Sequence, residues 1–582
     1  MGIRNSFQFA YQADKSCALA SFSLQETINH SVERGSKVYC CFLDSSKAFD
    51  SVWLDGLFYK LFQLGMNGKS WRILRNWYGK MRCYVSLNGL ISSIFPVKQG
   101  VRQGGVLSPW LFLCYNNDIP TVLQSIDCGL TVQDINCSAV LVADDITLMS
   151  LNVKGLQNML NTIEAYSKKW RFQFNSSKTT VVTFGESTQM HSLRKPTRHW
   201  YLNGVEIREE SSWEHVGITL SGNFSSHKRS KTAAKKGKQA TGLLMNAGVR
   251  PGGLNPICGT NTWKMFGLSS MLYGCEVWSR LTVTEIELLN RAGTFAAKRL
   301  QGLAPTSSSA GALGTAGMWS TVGYIDKRKL LFLGSLCRAS PTALHKRLFV
   351  QRLFSYIYRK GTRSIGYIND AVEILTKYEL YQYLEDYMNT CLFPSKQVWR
   401  NIVVKAIDKH QTVIWKEQMC RKPNLIYLRN NHPNLQPVIH WVVAMRYPKH
   451  REVLANLVNL LVGNVPSLLM NAVVNYETYY ICKLCSNRLY AVPYHFIMDC
   501  PKTCQERNQL WDNLTDQLPI NGVCYLNSLC DEDIYAVFVS GNHPTFRNYQ
   551  DELHNFILLS ALGIMNIFTK TNKLLELLNM NY

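Results

Sequence analysis

Asp144 and Asp145 stand side by side in "SAVLVADDITLMS", between two short apolar runs. Asp is a poor strand residue, and two adjacent ionised carboxylates repel each other. Alone, the pair reads as a solvated hairpin turn. A third carboxylate widens the chemistry: Asp44 closes "GSKVYCCFLD", a buried-strand pattern about 100 residues upstream. If the two elements are neighbours, three carboxylates converge on one sheet edge. Such a cluster is repulsive unless cations hold it, and hard oxygen ligands suit Mg²⁺. Two Mg²⁺ ions ~3.5–4 Å apart can activate a 3′-hydroxyl and stabilise leaving pyrophosphate in an in-line displacement. A softer ligand set lies in "CKLCSNRLYAVPYHFIMDCP": Cys482, Cys485, His495 and Cys500. Two thiolates on a tight turn, then a His and a final Cys, can close a tetrahedral Zn²⁺ site. The other reading is two ordinary buried thiols and a helical His. Cys504 is left over, and His227, His410 and His440 have no partner at ligand spacing, so they read as structural.

The elements that must position these groups follow from periodicity. Leu57, Phe58, Leu61 and Leu64 recur at helical spacing, and Trp71, Leu74 and Tyr78 begin another stripe. Asn88-Gly89 sits between alternating runs, a strong hairpin signal. "KQGVRQGGVLSP" is a glycine-punctuated loop before an apolar helix through Trp110, Leu111, Phe112 and Tyr115. "SAVLVA" and "ITLMS" flank the Asp pair as a hairpin, "GLQNMLNTIEAYSKKW" is an amphipathic helix, and "TTVVTF" is a further strand. The first ~185 residues are therefore α+β around a largely antiparallel sheet. From the basic run "HKRSKTAAKKGK" to about residue 470 the patterns are mostly helical. The small-residue stretch Gly302–Gly317 reads as a loop and linker. No fixed-period repeat is visible.

Composition bounds the rest. The 582 residues leave room for several domains, and 46% hydrophobic content describes a globular chain. The formal net charge of +23 suggests a polyanionic partner, since Lys and Arg neutralise phosphates regardless of sequence; a merely basic soluble protein is the alternative. The 18 Cys lack framework spacing and several sit in apolar runs, which argues for reduced thiols inside a cell and against a disulfide scaffold. "MGIRNSFQFAYQ" has no apolar core of a secretory signal. Gly2 and Ser6 match a loose myristoylation pattern that recurs by accident. The most membrane-like run, "VLANLVNLLVGNVPSLLMNAVV", is broken by Asn456, Asn459, Asn464 and Pro466; it reads as buried helix, so no transmembrane segment is expected.

In order, "CFLDSSKAFDSV", "GVRQGGVLSPWLF", "LVADDITLM" and "FQFNSSKTTVVTF" resemble successive polymerase motifs of reverse transcriptases, most closely non-LTR (LINE-type, jockey-like) retrotransposon enzymes. The likeness runs from "FQFAYQADKSCALA" through "WEHVGITL" and "SSMLYGCEVW", roughly residues 7 to 350. It implies an RNA-directed DNA polymerase that uses two Mg²⁺, an RNA template, a DNA primer and deoxynucleoside triphosphates. Asp44, Asp144 and Asp145 then look like the catalytic metal ligands, with Asp144 the surer of the pair. Phe49 matches the aromatic position that excludes a ribose 2′-hydroxyl, with core packing as its other reading. Gln103 and Gly104 match the nucleotide-pocket loop, and Arg102 contacts phosphate or template or is a solvated loop cation. Lys178 matches the lysine proposed to protonate pyrophosphate, or is an exposed loop lysine. Lys47 and Asp50 belong to the signature as a structural, local ion pair. Gly217 resembles the turn that grips the primer end. Lys228, Arg229, Lys231, Lys235, Lys236 and Lys238 would line the duplex backbone, or form a solvated helix face. Retrotransposon enzymes of this kind often end in a CCHC knuckle, where Tyr490, Tyr494 and Phe496 could stack on bases or form the knuckle's own small core.

Two departures stand out. Val142 occupies a position that is Tyr or Phe in most of the family, and the fingers segment with its triphosphate-binding basic residues is not matched; Arg4 and Lys15 do not fit it. The resemblance therefore implies a 5′-truncated element copy. The expected fold is α+β: a right-hand polymerase palm with partial fingers (1–185), a thumb-like region (186–301), a helical region (318–474), a zinc-knuckle segment (475–510) and C-terminal helices (511–582). The alternative function is a catalytically inactive remnant that binds RNA or DNA; a metal-dependent nuclease has no use for the Gln103-Gly104 loop. The resemblance places the protein inside the cell, nuclear with a cytoplasmic RNA-bound phase.

Overall fold

Five consecutive residues after Val38 are apolar or aromatic, and in a computed structural model covering residues 5–186, 198–250, 253–278, 281–358 and 365–580 they form a strand buried on both faces. This strand, β1 (Val38–Leu43), lies at the centre of a five-stranded sheet. The others are β2 (Ala139–Val142), β3 (Asp145–Ser150), β4 (Thr180–Phe184) and the short β5 (Arg208–Glu209), in the order β5-β4-β1-β3-β2. All pairings are antiparallel except β4 with β5. The expected antiparallel α+β sheet is thus present. Helices Cys17–Val32 and Val153–Lys169 pack on it through stripes such as Leu156, Met159, Leu160 and Ile163. Gly2 and Arg4 lie outside the described residues.

The chain divides into two compact units. The first comprises Met1–Arg229, Tyr273–Thr282 and Arg328–Arg400, and so includes segments far apart in sequence. An ion cluster ties them. Arg352, on the helix Leu344–Tyr358, donates to Glu26 at 2.7 Å and to Glu33 at 2.6 and 2.7 Å, all three side chains being almost fully buried. Glu26 also accepts the Tyr367 backbone N–H, so the carboxylates are well satisfied. A second buried cation, Lys60 on the helix Leu54–Gln63, donates to Asp118 at 2.7 Å and to the Tyr166 hydroxyl, and lies 3.8 Å from the Trp170 ring centre. Burial pulls its ammonium down to about 8, against the opposing pull of Asp118.

The Asn88-Gly89 hairpin is present, with positive φ at both turn residues, but its ladders are two residues long and leave Leu87, Leu90 and Ile91 exposed. The second unit comprises Ser230–Leu272, Val283–Lys327 and Asn401–Tyr582 and is mainly helical. The expected loop at Gly302–Gly317 instead contains a helix, Ser309–Thr315, with Ala310, Gly311, Ala312, Gly314 and Thr315 buried. Its small residues permit close approach: a Cβ on Gly314 would sit 2.5 Å from the Trp415 ring, which packs there and donates its indole N–H to Ala310. The run read as buried helix forms Arg451–Leu461 and, beyond a break, Ser467–Asn471. Among the described residues one helix, Gln550–Met580, is long and apolar enough to cross a membrane; much of it is buried against neighbouring helices of its unit.

Removing one member of a buried ion cluster strands the others. Arg352→Met is therefore expected to lower unfolding free energy by about 3–5 kcal/mol, read by urea denaturation. A loss below ~1 kcal/mol would mean the cluster does not hold these segments.

Candidate functional site

Register decides where the carboxylates go. β1 and β3 pair through Leu43↔Ile146, so one step further brings Asp44 level with Asp145. On the other side β1 pairs with β4 through Phe42↔Thr180, and the same extension brings Asp44 level with Lys178. Val142 pairs with Asp145, leaving Ala143 and Asp144 as a two-residue turn between β2 and β3. Ala143 has φ +58°, a left-handed conformation unusual for a residue with a Cβ. The Ser45 hydroxyl donates to the Asp144 carbonyl at 3.3 Å, tying the end of β1 to the turn. Beyond Asp44 the chain continues against Phe174, and Asn175 donates its backbone N–H to the Asp44 carbonyl at 2.8 Å.

The three carboxylates feel one another. Partial burial, then Asp144, then Asp44 push Asp145 up to about 6, although its side chain keeps solvent contact. Burial also raises Asp144, with Asp44 adding to the shift. The nearest cation is Lys178, whose Nζ is 4.0 Å from Asp44 Oδ2 and largely exposed. That distance leaves the amine free to reach a substrate group. The site is thus an anionic cradle with the exposed Lys178 ammonium at its edge.

The surrounding predicted residues divide. Phe49 is half-buried and stacks on Phe112, ring centres 5.0 Å apart, which is its packing role. Asp50 does not pair with Lys47. Its two oxygens accept from the Gln103 amide at 3.0 and 3.1 Å, so the expected local ion pair is replaced by a link between two motifs. Lys47 itself has φ +47° and is exposed. Gly104 has φ +81°, which its lack of a side chain allows, and Arg102 is exposed on the same loop. Gly217 has φ +80° and turns a hairpin between Ser212–His215 and Ile218–Ser221; a Cβ there would meet the Tyr273 ring at 2.9 Å.

The basic run lies on the helix His227–Asn246. Lys228, Lys231, Lys235, Lys236 and Lys238 are exposed, at spacings that share a face. Arg229 is different: it is buried, 5.6 Å from the Trp278 ring centre, and donates to the Thr219 carbonyl. It is a core cation and cannot belong to the solvent-facing row.

In the second unit the sulfur and imidazole ligand atoms of Cys482, Cys485, His495 and Cys500 all lie within 4.8 Å of one another. The strand Tyr480–Cys482 delivers the first thiol, and a turn closed by Ser486 N–H on the Cys482 carbonyl brings back the second. Hydrogen bonds from Cys500 and His495 favour the Cys482 thiolate, while donating to it holds Cys500 up. Three sulfurs and an imidazole this close together, one thiol easily ionised, could hold a metal ion. Cys504 is exposed and outside the group. Of the aromatics, Phe496 is fully buried and cannot stack on a base; Tyr494 is half-buried with an edge contact to Tyr535, and Tyr490 is exposed. Sequence reasoning missed the exposed column beside it, where Arg488 lies 3.8 Å from the Tyr479 ring centre and Tyr479 stacks on Tyr476. Their alternation with strand signals was the available clue. It also missed Gln8, which contacts Ala143.

An antiparallel sheet that gathers carboxylates from a strand end and a hairpin turn, beside a glycine loop, defines a polymerase-type domain. Residues 4–220 match the family described as Reverse transcriptase (RNA-dependent DNA polymerase). The chain is 28% identical over 292 residues to the RNA-directed DNA polymerase from mobile element jockey of Drosophila melanogaster, covering 48% of this chain and 30% of that protein. It is 31% identical over 195 residues to the probable RNA-directed DNA polymerase from transposon BS of the same organism, covering 32% and 20%. For the transposon X-element enzyme of that organism the figures are 24% over 314 residues, 52% and 32%. The chain thus spans no more than about a third of the length of these relatives. The telomerase of Candida albicans, solved with a TWJ fragment of telomeric RNA, overlaps at a TM-score of 0.23 and 13% identity over 56% of this chain and 51% of that one, too low to carry an argument. Residues 4–220 are a reverse transcriptase domain of the non-LTR retrotransposon type, with a largely helical remainder.

Asp145 must be ionised to hold a cation, and in the free site it takes up a proton near pH 6. Divalent-metal affinity is therefore expected to fall up to about tenfold per pH unit below ~6 and to level off above ~7. For the same reason the metal-free protein loses stability from this group as the pH rises through about 6, because its folded value lies above the unfolded one. Mn²⁺ titration followed by electron paramagnetic resonance between pH 5 and 8 checks this; a flat profile would sink it.

Proposed function

We propose that the chain is an RNA-directed DNA polymerase acting by two-metal nucleotidyl transfer on an RNA template and a DNA primer. The observation that carries this reading is the convergence of Asp44, Asp144 and Asp145, two of them destabilised as carboxylates by their surroundings. Their hard oxygens fit Mg²⁺, which would lower the pKa of a primer 3′-hydroxyl and neutralise a triphosphate. In this reading the sheet around β1 is the palm and the residues between the motifs are partial fingers. Asp44, Asp144 and Asp145 would together hold the metals, with Asp144 the surer ligand of the adjacent pair.

The other residues position and discriminate. Lys178, anchored loosely on Asp44, is placed to hand its Nζ proton to leaving pyrophosphate. Phe49, fixed by Phe112, presents a rigid wall against a 2′-hydroxyl. Gln103, locked on Asp50, sets the Gly104 turn so that a nucleotide can approach the backbone. The exposed lysines between Lys228 and Lys238 form a thumb-like surface for duplex phosphates, with Gly217 turning the primer-grip hairpin. Cys482, Cys485, His495 and Cys500 hold a structural Zn²⁺, and Tyr490, with Tyr479 and Arg488, offers faces for unpaired bases. Nuclear action, on primers supplied by chromosomal DNA, completes the reading.

Primer extension on poly(rA)/oligo(dT) tests the activity. Wild type is expected to extend with Mg²⁺ and Asp144→Asn to lose on the order of 10³-fold or more. If neither extends and both keep salt-sensitive RNA binding, the protein is the inactive nucleic-acid-binding remnant instead. For the Cys/His group, metal analysis should find close to one Zn per chain, and Cys485→Ser should lower it and the melting temperature together. A zinc content near zero in purified wild type removes the claim.

A further inference from the structure

We propose that Gln8 is a positioning residue for the metal-binding turn: it holds the left-handed Ala143, and through it Asp144, in place. The inference rests on the polymerase reading of that turn.

Residues Phe7 to Phe9 run alongside β2 as an extra parallel edge. Leu141 donates its N–H to the Phe7 carbonyl at 3.0 Å, and Phe9 donates to the Leu141 carbonyl at 2.8 Å. The main-chain ladder ends there, two residues short of Ala143. Ala143 is buried, so a free N–H and C=O at that point would be costly. The Gln8 side chain takes over from the ladder. Its Oε1 accepts the Ala143 N–H at 3.0 Å, and its Nε2 reaches the Ala143 carbonyl at 3.5 Å. Oε1 also accepts the Ala10 N–H at 2.9 Å, which fixes the amide from its own strand. Gln8 is only 3% exposed, and flanking Phe7 and Phe9 are buried too.

Both polar groups of one strained residue are thus bound by one buried side chain. A left-handed alanine persists only where the surroundings over-determine it. Asp144 follows directly, so any relaxation of Ala143 rotates the carboxylate away from Asp44. A small misplacement of a reacting group is enough to lose much of a rate. A buried amide has no packing advantage over an apolar residue, and both ends of this one reach Ala143.

Gln8→Met keeps the side-chain length and approximate volume and removes both contacts to Ala143. In primer extension it is expected to lower kcat at least ~10-fold with KM for dTTP within about twofold, and to weaken Mn²⁺ binding, measured by electron paramagnetic resonance with Asp144→Asn as blank, by ~3-fold or more. Ala143→Gly removes the conformational strain, so in the Gln8→Met background it should recover a large part of kcat. A merely structural role would move the melting temperature without this rescue. Gln8→Met with kcat and Mn²⁺ affinity within twofold of wild type, or no rescue by Ala143→Gly, overturns the proposal. Should Gln8→Met not fold, hydrogen exchange on wild type decides: strong protection of the Ala143 amide is expected, and free exchange refutes the contact. If wild type fails to extend primers, the polymerase reading falls while the Mn²⁺ comparison and the exchange still judge Gln8.

Discussion

Like charges held together by strand register are the constraint on which the first unit depends. Asp44 cannot move away from Asp145 without breaking the β1–β3 ladder, and Asp144 cannot move without opening a two-residue turn. The ladder in turn is fixed because β1 is buried on both faces; a slip by one residue would exchange every side chain between the two faces of the sheet. Burial, with the repulsion added to it, is therefore held in the folded state, and both show as Asp144 and Asp145 carboxyl groups that keep their protons longer than usual. A divalent cation relieves that cost, so cation binding and the stability of the sheet end are thermodynamically linked.

The same unit keeps its own charges satisfied elsewhere. Arg352, Glu26 and Glu33 are buried ions with partners, and the buried Lys60 is paired with the more exposed Asp118. The carboxylate cluster differs because its charges have one sign, and Lys178 stands 4.0 Å from Asp44. Buried structural ions are paired; ions left unpaired and alike are available for chemistry.

Much of this was legible in the sequence because the signals are local. The strand before Asp44, the hairpin around Asp144-Asp145, the helix of lysines and the Cys/His spacing each occupy one short stretch whose periodicity survives in the fold. What could not be read were partnerships across sequence. Local spacing offers Asp50 its neighbour Lys47, but it binds Gln103, 53 residues away. Arg229 sits in a basic run yet points into the core, since the helical period puts it on the inner face beside Ser230 and Ala233. Gly302–Gly317 looked like a linker because small residues mark loops, whereas here smallness serves close packing against Trp415. The Arg352 cluster joins residues more than 300 positions apart, and no periodicity encodes that.

The two ligand sets are sorted by chemistry as well as by place. Asp44, Asp144 and Asp145 offer hard oxygens on a partly open edge, where cations can arrive and leave with a substrate. Cys482, Cys485, His495 and Cys500 offer soft sulfur and nitrogen, three of the four buried, with their ligand atoms all within 4.8 Å of one another. Hard, open ligands suit an exchangeable ion that takes part in turnover; soft, closed ones suit an ion that stays. Each ion would therefore be rejected by the other's site, on ligand type in one direction and on coordination number in the other. On the proposed reading, that separation would let magnesium-type chemistry proceed at the sheet edge while a thiolate-held metal braced the small C-terminal fold, without either ion competing for the other's ligands.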